Sequence, residues 1–283
     1  MPRIAFTYTP ESLATADQPG FVSATDGDTP TVQMPIRMLG MDAPELHYGG
    51  ATAERPDRFD AAFASFLDGP GKHLDAGLRA HLAPRLDATA CSRHIEAGRQ
   101  AAAHYQAIVE ERLRRVSATS GKPLKPRKLF TMVSEQVFDG RGRMLAYVAP
   151  ATTKQERAAL PPEKRPTFNL QMMQDGHATS LVIYPNLPKP DDLLLVRAAM
   201  VSAKRRKRGI WASPVPVLHA FEFRWIVDMV LGKRKAPDRF CADIRNGKLY
   251  PPQRYHEVPA PERIWFFERD LGAALKLGLK LQV

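Results

Sequence analysis

Hydrophobic positions recur with different periods along the chain, and the changes of period divide it into elements. Phe21-Val22-Ser23-Ala24-Thr25 and Ile36-Arg37-Met38-Leu39 read as strands on either side of an Asp26-Gly27-Asp28-Thr29 turn. Asp-Gly is a strong tight-turn signal. Proline cannot donate to a sheet ladder, so Pro30 and Pro35 predict a hairpin that is short, irregular or at an edge. Between 46 and 90, Phe59, Phe63, Phe66 and Leu67, then Leu74, Leu78 and Leu82, step by three and four residues. With Gly49-Gly50, Pro56 and Gly69-Pro70-Gly71 as punctuation, this predicts a helical hairpin with loops at both ends. Residues 95–115 read as an amphipathic helix with Tyr105, Ile108 and Val109 facing inward. Leu129–Val137 and Met144–Val148 read as a β-hairpin around Asp139-Gly140-Arg141-Gly142-Arg143.

Phe168–Asp175 reads as a helix closed by Gly176. A further helix starts at Asp191-Asp192 and ends in Lys204–Arg208 before Gly209, with acid and base placed to complement its macrodipole. From Pro214 onward the pattern is less regular. Phe221, Phe223, Trp225, Tyr250, Tyr255, Trp265, Phe266 and Phe267 there are expected to pack in a core rather than to stack bases.

Composition narrows the class. With 44% hydrophobic and 25% charged residues in 283, the chain is an ordinary globular one. No apolar run approaches the ~20 residues of a spanning helix. The start, Met1-Pro2-Arg3-Ile4, lacks the apolar core of a secretory signal, and two cysteines suit a reducing compartment, so a cytoplasmic protein is expected. Lys and Arg number 41 against 30 Asp and Glu, a formal net charge of +11. Such a surface attracts polyanions through counterion release, nucleic acid first and an anionic membrane second.

Three segments hold charges that a fold does not need: Asp26–Thr29, Arg37–Glu45 and Asp139–Val148. Carboxylates at turns and strand ends can converge on a hard divalent cation. Two arginines offer forked donors to a phosphate, and a further carboxylate can orient or deprotonate water. Metal, two guanidiniums and one acid are the parts needed to hydrolyse a phosphodiester.

In order and content these segments, with Asn169, Gly176 and Gly209-Ile210-Trp211, resemble the staphylococcal nuclease (thermonuclease) family over residues 21–45 and roughly 91–213. The resemblance implies an α+β fold: a five-stranded, OB-like β-barrel with packed helices. It implies a barrel domain over 1–213 carrying 46–90 as a helical insertion, followed by a C-terminal accessory region, 214–283. By residue it implies Asp28, Asp42 and the Ala43 carbonyl as metal ligands, with Asp26 behind them. Arg37 and Arg143 would grip phosphate, Glu45 would position or activate water, and Arg141 and Tyr184 would contact substrate. The implied cofactor is a divalent metal, Ca²⁺ in the family, with Mg²⁺ or Mn²⁺ as substitutes in a cytosolic setting. The implied activity is hydrolysis of DNA or RNA with little sequence preference. The alternative is an inactive OB-like nucleic-acid-binding or adaptor module.

Other signals reduce to ordinary structure. Cys91-Ser92-Arg93-His94 with His104 hints at zinc, but no second Cys/His pair sits at ligand spacing. The segments 46–90 and 214–283 could restrain the activity, the first as a lid hinged at its glycines, or offer a face to a protein partner or second copy.

Overall fold

The computed structural model describes residues 19–117, 119–161 and 164–282, and the opening residues read for a secretory signal lie outside these. Along the chain come β1 (Gly20–Ala24), β2 (Pro30–Gln33), β3 (Ile36–Met38), β4 (Gly40–Asp42), α1 (Asp60–Ala64), α2 (Ala76–Leu82) and α3 (Ala90–Leu113). Next are β5 (Arg115–Val116), β6 (Pro123–Leu124), β7 (Leu129–Phe138), β8 (Met144–Pro150), α4 (Lys154–Ala159), α5 (Phe168–Gln174), β9 (Thr179–Ile183) and α6 (Pro190–Arg205). After residue 213 follow α7 (Ala220–Val230), β10 (Arg239–Asp243), β11 (Lys248–Tyr250), β12 (Arg263–Phe267), α8 (Leu271–Lys276) and β13 (Lys280–Leu281).

This is an α+β fold, but its described strands do not close into a five-stranded barrel. They form a six-stranded sheet in the order β13-β11-β10-β12-β9-β4, a three-stranded sheet β3-β8-β7, and the separate pairs β1-β2 and β5-β6. One cause is the bend between β3 and β4. Gly40 holds φ at +71°, which an L side chain rarely adopts, so the chain leaves the ladder of β8 and pairs next with β9. The buried Asn169 amide braces this bend: its Nδ2 donates to the carbonyls of Leu39 and Ala146, and its Oδ1 accepts the Val148 N–H. A second cause is β12, which pairs in parallel with β9 and so joins the C-terminal strands to the sheet. The β1-β2 hairpin is exposed throughout and slips register between Phe21 and Ser23, in keeping with Pro30 at the start of β2 and Pro35 just beyond its end.

Two cores result. One lies among α3, α5, α6, β4 and β8, where Met41, Ile108, Val148, Phe168 and Met200 are buried. The larger one joins segments far apart in sequence: Phe63, Phe66, Leu78 and Leu82 of residues 46–90 pack with Phe221, Phe223, Trp225, Tyr255 and Trp265, with Cys91 and Ile95 of α3 and Leu181 of β9 in the same cluster. Six of the eight tail aromatics are therefore core, as their pattern predicts, whereas Tyr250 and Phe267 are only half-buried and Phe267 lines the cavity. Residues 46–90 are α-helical only at α1 and α2, with a 3₁₀ turn at Ala83–Arg85, and their buried apolar side chains pack against residues 214–283. No helix among the described residues is long and apolar enough to cross a membrane.

Candidate functional site

The bend at Leu39-Gly40 turns β4 back beside β3, so side chains five positions apart meet. The Arg37 Nη2 donates to Asp42 Oδ1 at 2.9 Å, and the Asp42 side chain is only 1% exposed. A buried carboxylate needs more than one half-exposed partner. The second comes from α7. Arg224 grips Asp42 through both guanidinium nitrogens, Nη1 to Oδ1 at 3.0 Å and Nη2 to Oδ2 at 2.7 Å, and its Nη1 also donates to Glu45 Oε1. Burial pushes the Asp42 carboxyl up, but Arg224, then Arg37 and Arg239, outweigh it and hold the group below its ordinary range. Burial works against the Arg224 charge in turn, and Asp42 and Glu45 more than restore it.

His94 sets the position of Glu45. Its Nε2 accepts the Glu45 N–H at 2.9 Å, while its ring stacks on Phe223 with centroids 3.9 Å apart and planes within 4°. Phe223 is the neighbour of Arg224, so one buried imidazole ties the acid and the arginine to a common base. Gly98 on α3 allows the close approach, since a Cβ there would lie 2.3 Å from the Glu45 carbonyl oxygen.

Arg37, Glu45, Arg141, Arg143 and Tyr184 share the wall of one cavity of about 970 Å³. Arg143 is not free within it: its Nε and Nη2 both donate to Asp139 Oδ2, at 2.8 and 2.6 Å. Asp139 Oδ1 meanwhile accepts the N–H groups of Arg141 and Arg143, which closes the β7-β8 turn. Tyr184 stacks on Phe266 at 5.4 Å. The rest of the wall comes largely from the C-terminal residues, including Arg224, Lys233, Arg234, Arg239 and Arg269. Eight basic side chains face four acidic ones around the cavity, so it is electropositive. Arg239 stands out: among the described residues its side chain has no hydrogen bond or ion pair, its Nε is buried, and it lies over the Phe267 ring at 5.2 Å.

The expected metal centre does not assemble. Asp28 and Asp26 sit exposed at the tip of the β1-β2 hairpin and are not on the cavity wall. Asp28 Oδ1 accepts from the Thr29 hydroxyl, and hydrogen bonds from Thr29 and Asp28 hold the Asp26 carboxyl below its usual range. Ala43 packs at the edge of the α3-α5-α6 core. Among the described residues no three His, Cys, Asp or Glu side chains cluster so as to hold a metal ion. A hard cation wants six to eight oxygens, whereas both Asp42 oxygens and Glu45 Oε1 already accept from guanidinium nitrogens. The donor set as arranged does not fit a divalent ion. Cys91 and His94, the zinc hint, are both buried in the core, the cysteine as a free thiol and the imidazole in the contacts above.

Pattern reading missed Arg224, although a signal existed. It is one of two charged residues in the central run Phe221-Glu222-Phe223-Arg224-Trp225-Ile226-Val227, and a charge in so apolar a helix needs a buried partner.

Residues 98–213 match the family model described as staphylococcal nuclease homologue. No curated protein sequence matches the chain. The matched segment carries Arg141, Arg143 and Tyr184 and stops short of Arg37, Asp42 and Glu45, which join it because β3 pairs with β8 and β4 with β9. From the middle of α3 to the turn after α6, the chain is thus similar to the staphylococcal nuclease homologues.

Proposed function

We propose that the cavity binds the phosphodiester backbone of DNA or RNA and that the domain hydrolyses it. The observation that carries this reading is the convergence of Arg37, Glu45, Arg141 and Arg143, from separate stretches of chain, on one electropositive cavity. Guanidiniums pair with phosphate oxygens through two parallel N–H bonds, and preorganised donors of this kind stabilise the charge that builds on phosphorus. Arg37 and Arg143 would hold the phosphate, and Glu45, its backbone fixed by His94, would direct the attacking water. Tyr184, Arg141 and the unpaired Arg239 would take the flanking nucleotides and their phosphates. Ca²⁺, Mg²⁺ or Mn²⁺ would supply further charge in the family's chemistry, but the carboxylates as arranged do not offer them a site.

A second reading, nucleic-acid binding without cleavage, is favoured by one specific contact. Glu45 Oε1 accepts a hydrogen bond from the Arg224 Nη1, and an oxygen so occupied is not free to accept a hydrogen bond from an attacking water.

Labelled single-stranded DNA, duplex DNA and RNA, titrated by fluorescence anisotropy over a range of salt and followed on gels with and without divalent ions, test both. Affinity is expected to fall steeply with salt, and Arg239→Gln to weaken binding of every sequence and reduce the salt slope by about one. Cleavage is expected to drop about 10²-fold in Arg37→Ala, Glu45→Ala and Arg143→Ala. Absence of binding at low salt rejects both readings. Binding with no cleavage under any ion selects the second.

A further inference from the structure

We propose that Arg224 is the resident cation of the Asp42–Glu45 pair, a guanidinium held where a divalent metal would have to sit, so that this chain binds no metal at these carboxylates. The geometry is that of a bridging cation. Arg224 contacts both oxygens of Asp42 and one of Glu45, and Arg37 adds a second positive group on Asp42 Oδ1. A metal entering there would have to displace two guanidiniums and recruit its missing oxygens from elsewhere. Asp28, the carboxylate best suited to help, is exposed at a hairpin tip.

The arrangement is also built to persist. Arg224 stands on a helix whose neighbours Phe223 and Trp225 are buried, the first stacked on His94 and the second edge-on to Phe66 at 6.1 Å. The insertion and the C-terminal region therefore jointly fix the position of this guanidinium. Arg224 also lines the cavity, so the charge presented to an incoming phosphate is the protein's own, carried on directional N–H donors. A metal centre collects phosphate by Lewis acidity, whereas this one would collect it by hydrogen bonds and charge alone.

Ca²⁺ uptake by the full chain, measured by calorimetry and by melting in chelator against millimolar Ca²⁺, tests the proposal without reference to nuclease activity. The wild type is expected to show no saturable uptake and an unchanged melting temperature. Arg224→Gln is expected to gain saturable Ca²⁺ uptake and a melting temperature raised by Ca²⁺, both lost again in the double variant Arg224→Gln/Asp42→Asn. A folded Arg224→Gln protein that still takes up no Ca²⁺ overturns the proposal. If that variant does not fold, the wild type decides: Ca²⁺-dependent stabilisation that Asp42→Asn abolishes overturns it, and an identical melt in chelator and Ca²⁺ upholds it. Failure of nucleic-acid binding would leave these ion measurements untouched, so the two readings fail separately.

Discussion

The His94 ring accepts the Glu45 N–H at Nε2 and lies 3.2 Å from the Leu218 carbonyl at Nδ1, which a neutral imidazole with its proton on Nδ1 satisfies at both ends. Burial, reinforced by Arg224, pushes its pKa down to about 3, and burial pushes His219 down to about 4. Both rings are thus neutral when folded and gain a proton when unfolded below about pH 6.5. The stability they contribute is full above that pH and is lost as pH falls towards the folded values, at up to about 1.4 kcal/mol per pH unit for each ring. Thermal melts across mildly acidic pH should show this fall, and His94→Gln should flatten it by about one proton's worth. An unchanged slope in the variant would mean the ring is charged or exposed in the native protein. Arg37, Asp42 and Glu45 stand out in the sequence because they crowd into nine residues, and the structure brings Arg37 onto Asp42. Arg224 was not, because what gives it meaning is a partner 182 positions away.

Helix α3 was legible as an element, since its apolar face keeps a 3.6 period, and the β7-β8 hairpin because alternation brackets a glycine-rich turn. The part α3 plays in holding Glu45 was not, because close approach leaves no trace in hydrophobic pattern. Gly98 and Ala97 differ by one methyl group in the sequence, yet only the first faces the Glu45 backbone, where a methyl group would come within 2.3 Å of the carbonyl oxygen. Backbone cannot rotate out of the way as a side chain can. Gly98→Ala is therefore expected to destabilise the protein by about 1–3 kcal/mol and to weaken whatever Glu45 does, where an exposed site such as Gly272 tolerates alanine. Denaturant unfolding of the two variants side by side checks it; equal midpoints would show that the Glu45 loop yields freely. The insertion departs from its pattern for a related reason. Phe59, Phe63 and Phe66 keep helical spacing, but the chain around them is mostly turn, and their spacing reflects burial against α7 instead of a long helix.

At the scale of the molecule, residues 46–90 and 214–283 share one core. Phe63 and Phe66 are wholly buried, and each has an aromatic partner on α7, Phe223 at 5.6 Å and Trp225 at 6.1 Å. Removing residues 214–283 would bare that surface and leave β9 without β12, so the truncated chain is expected to bind a hydrophobic dye and to lose its cooperative melt. A truncated chain that melts as sharply as the whole would show that the segment before residue 214 folds alone. Such long-range partnership is invisible to periodicity, which reports that a face is buried and is silent about which face covers it.

The sheet order has a consequence for how the protein comes into being. β12 lies between β10 and β9, so an interior strand is synthesised after both of the neighbours it joins. While the ribosome adds the residues between β9 and β12, a delay on the order of ten seconds at ordinary elongation speeds, the nascent chain carries a bare strand edge that any other extended segment can pair with. The same interval leaves Asp42 without the Arg224 guanidinium until α7 has emerged. Birth order thus makes the half-made polypeptide the vulnerable species, the one a chaperone would have to shield, and it delays a finished cleft until β12 and the wall residues after it have emerged.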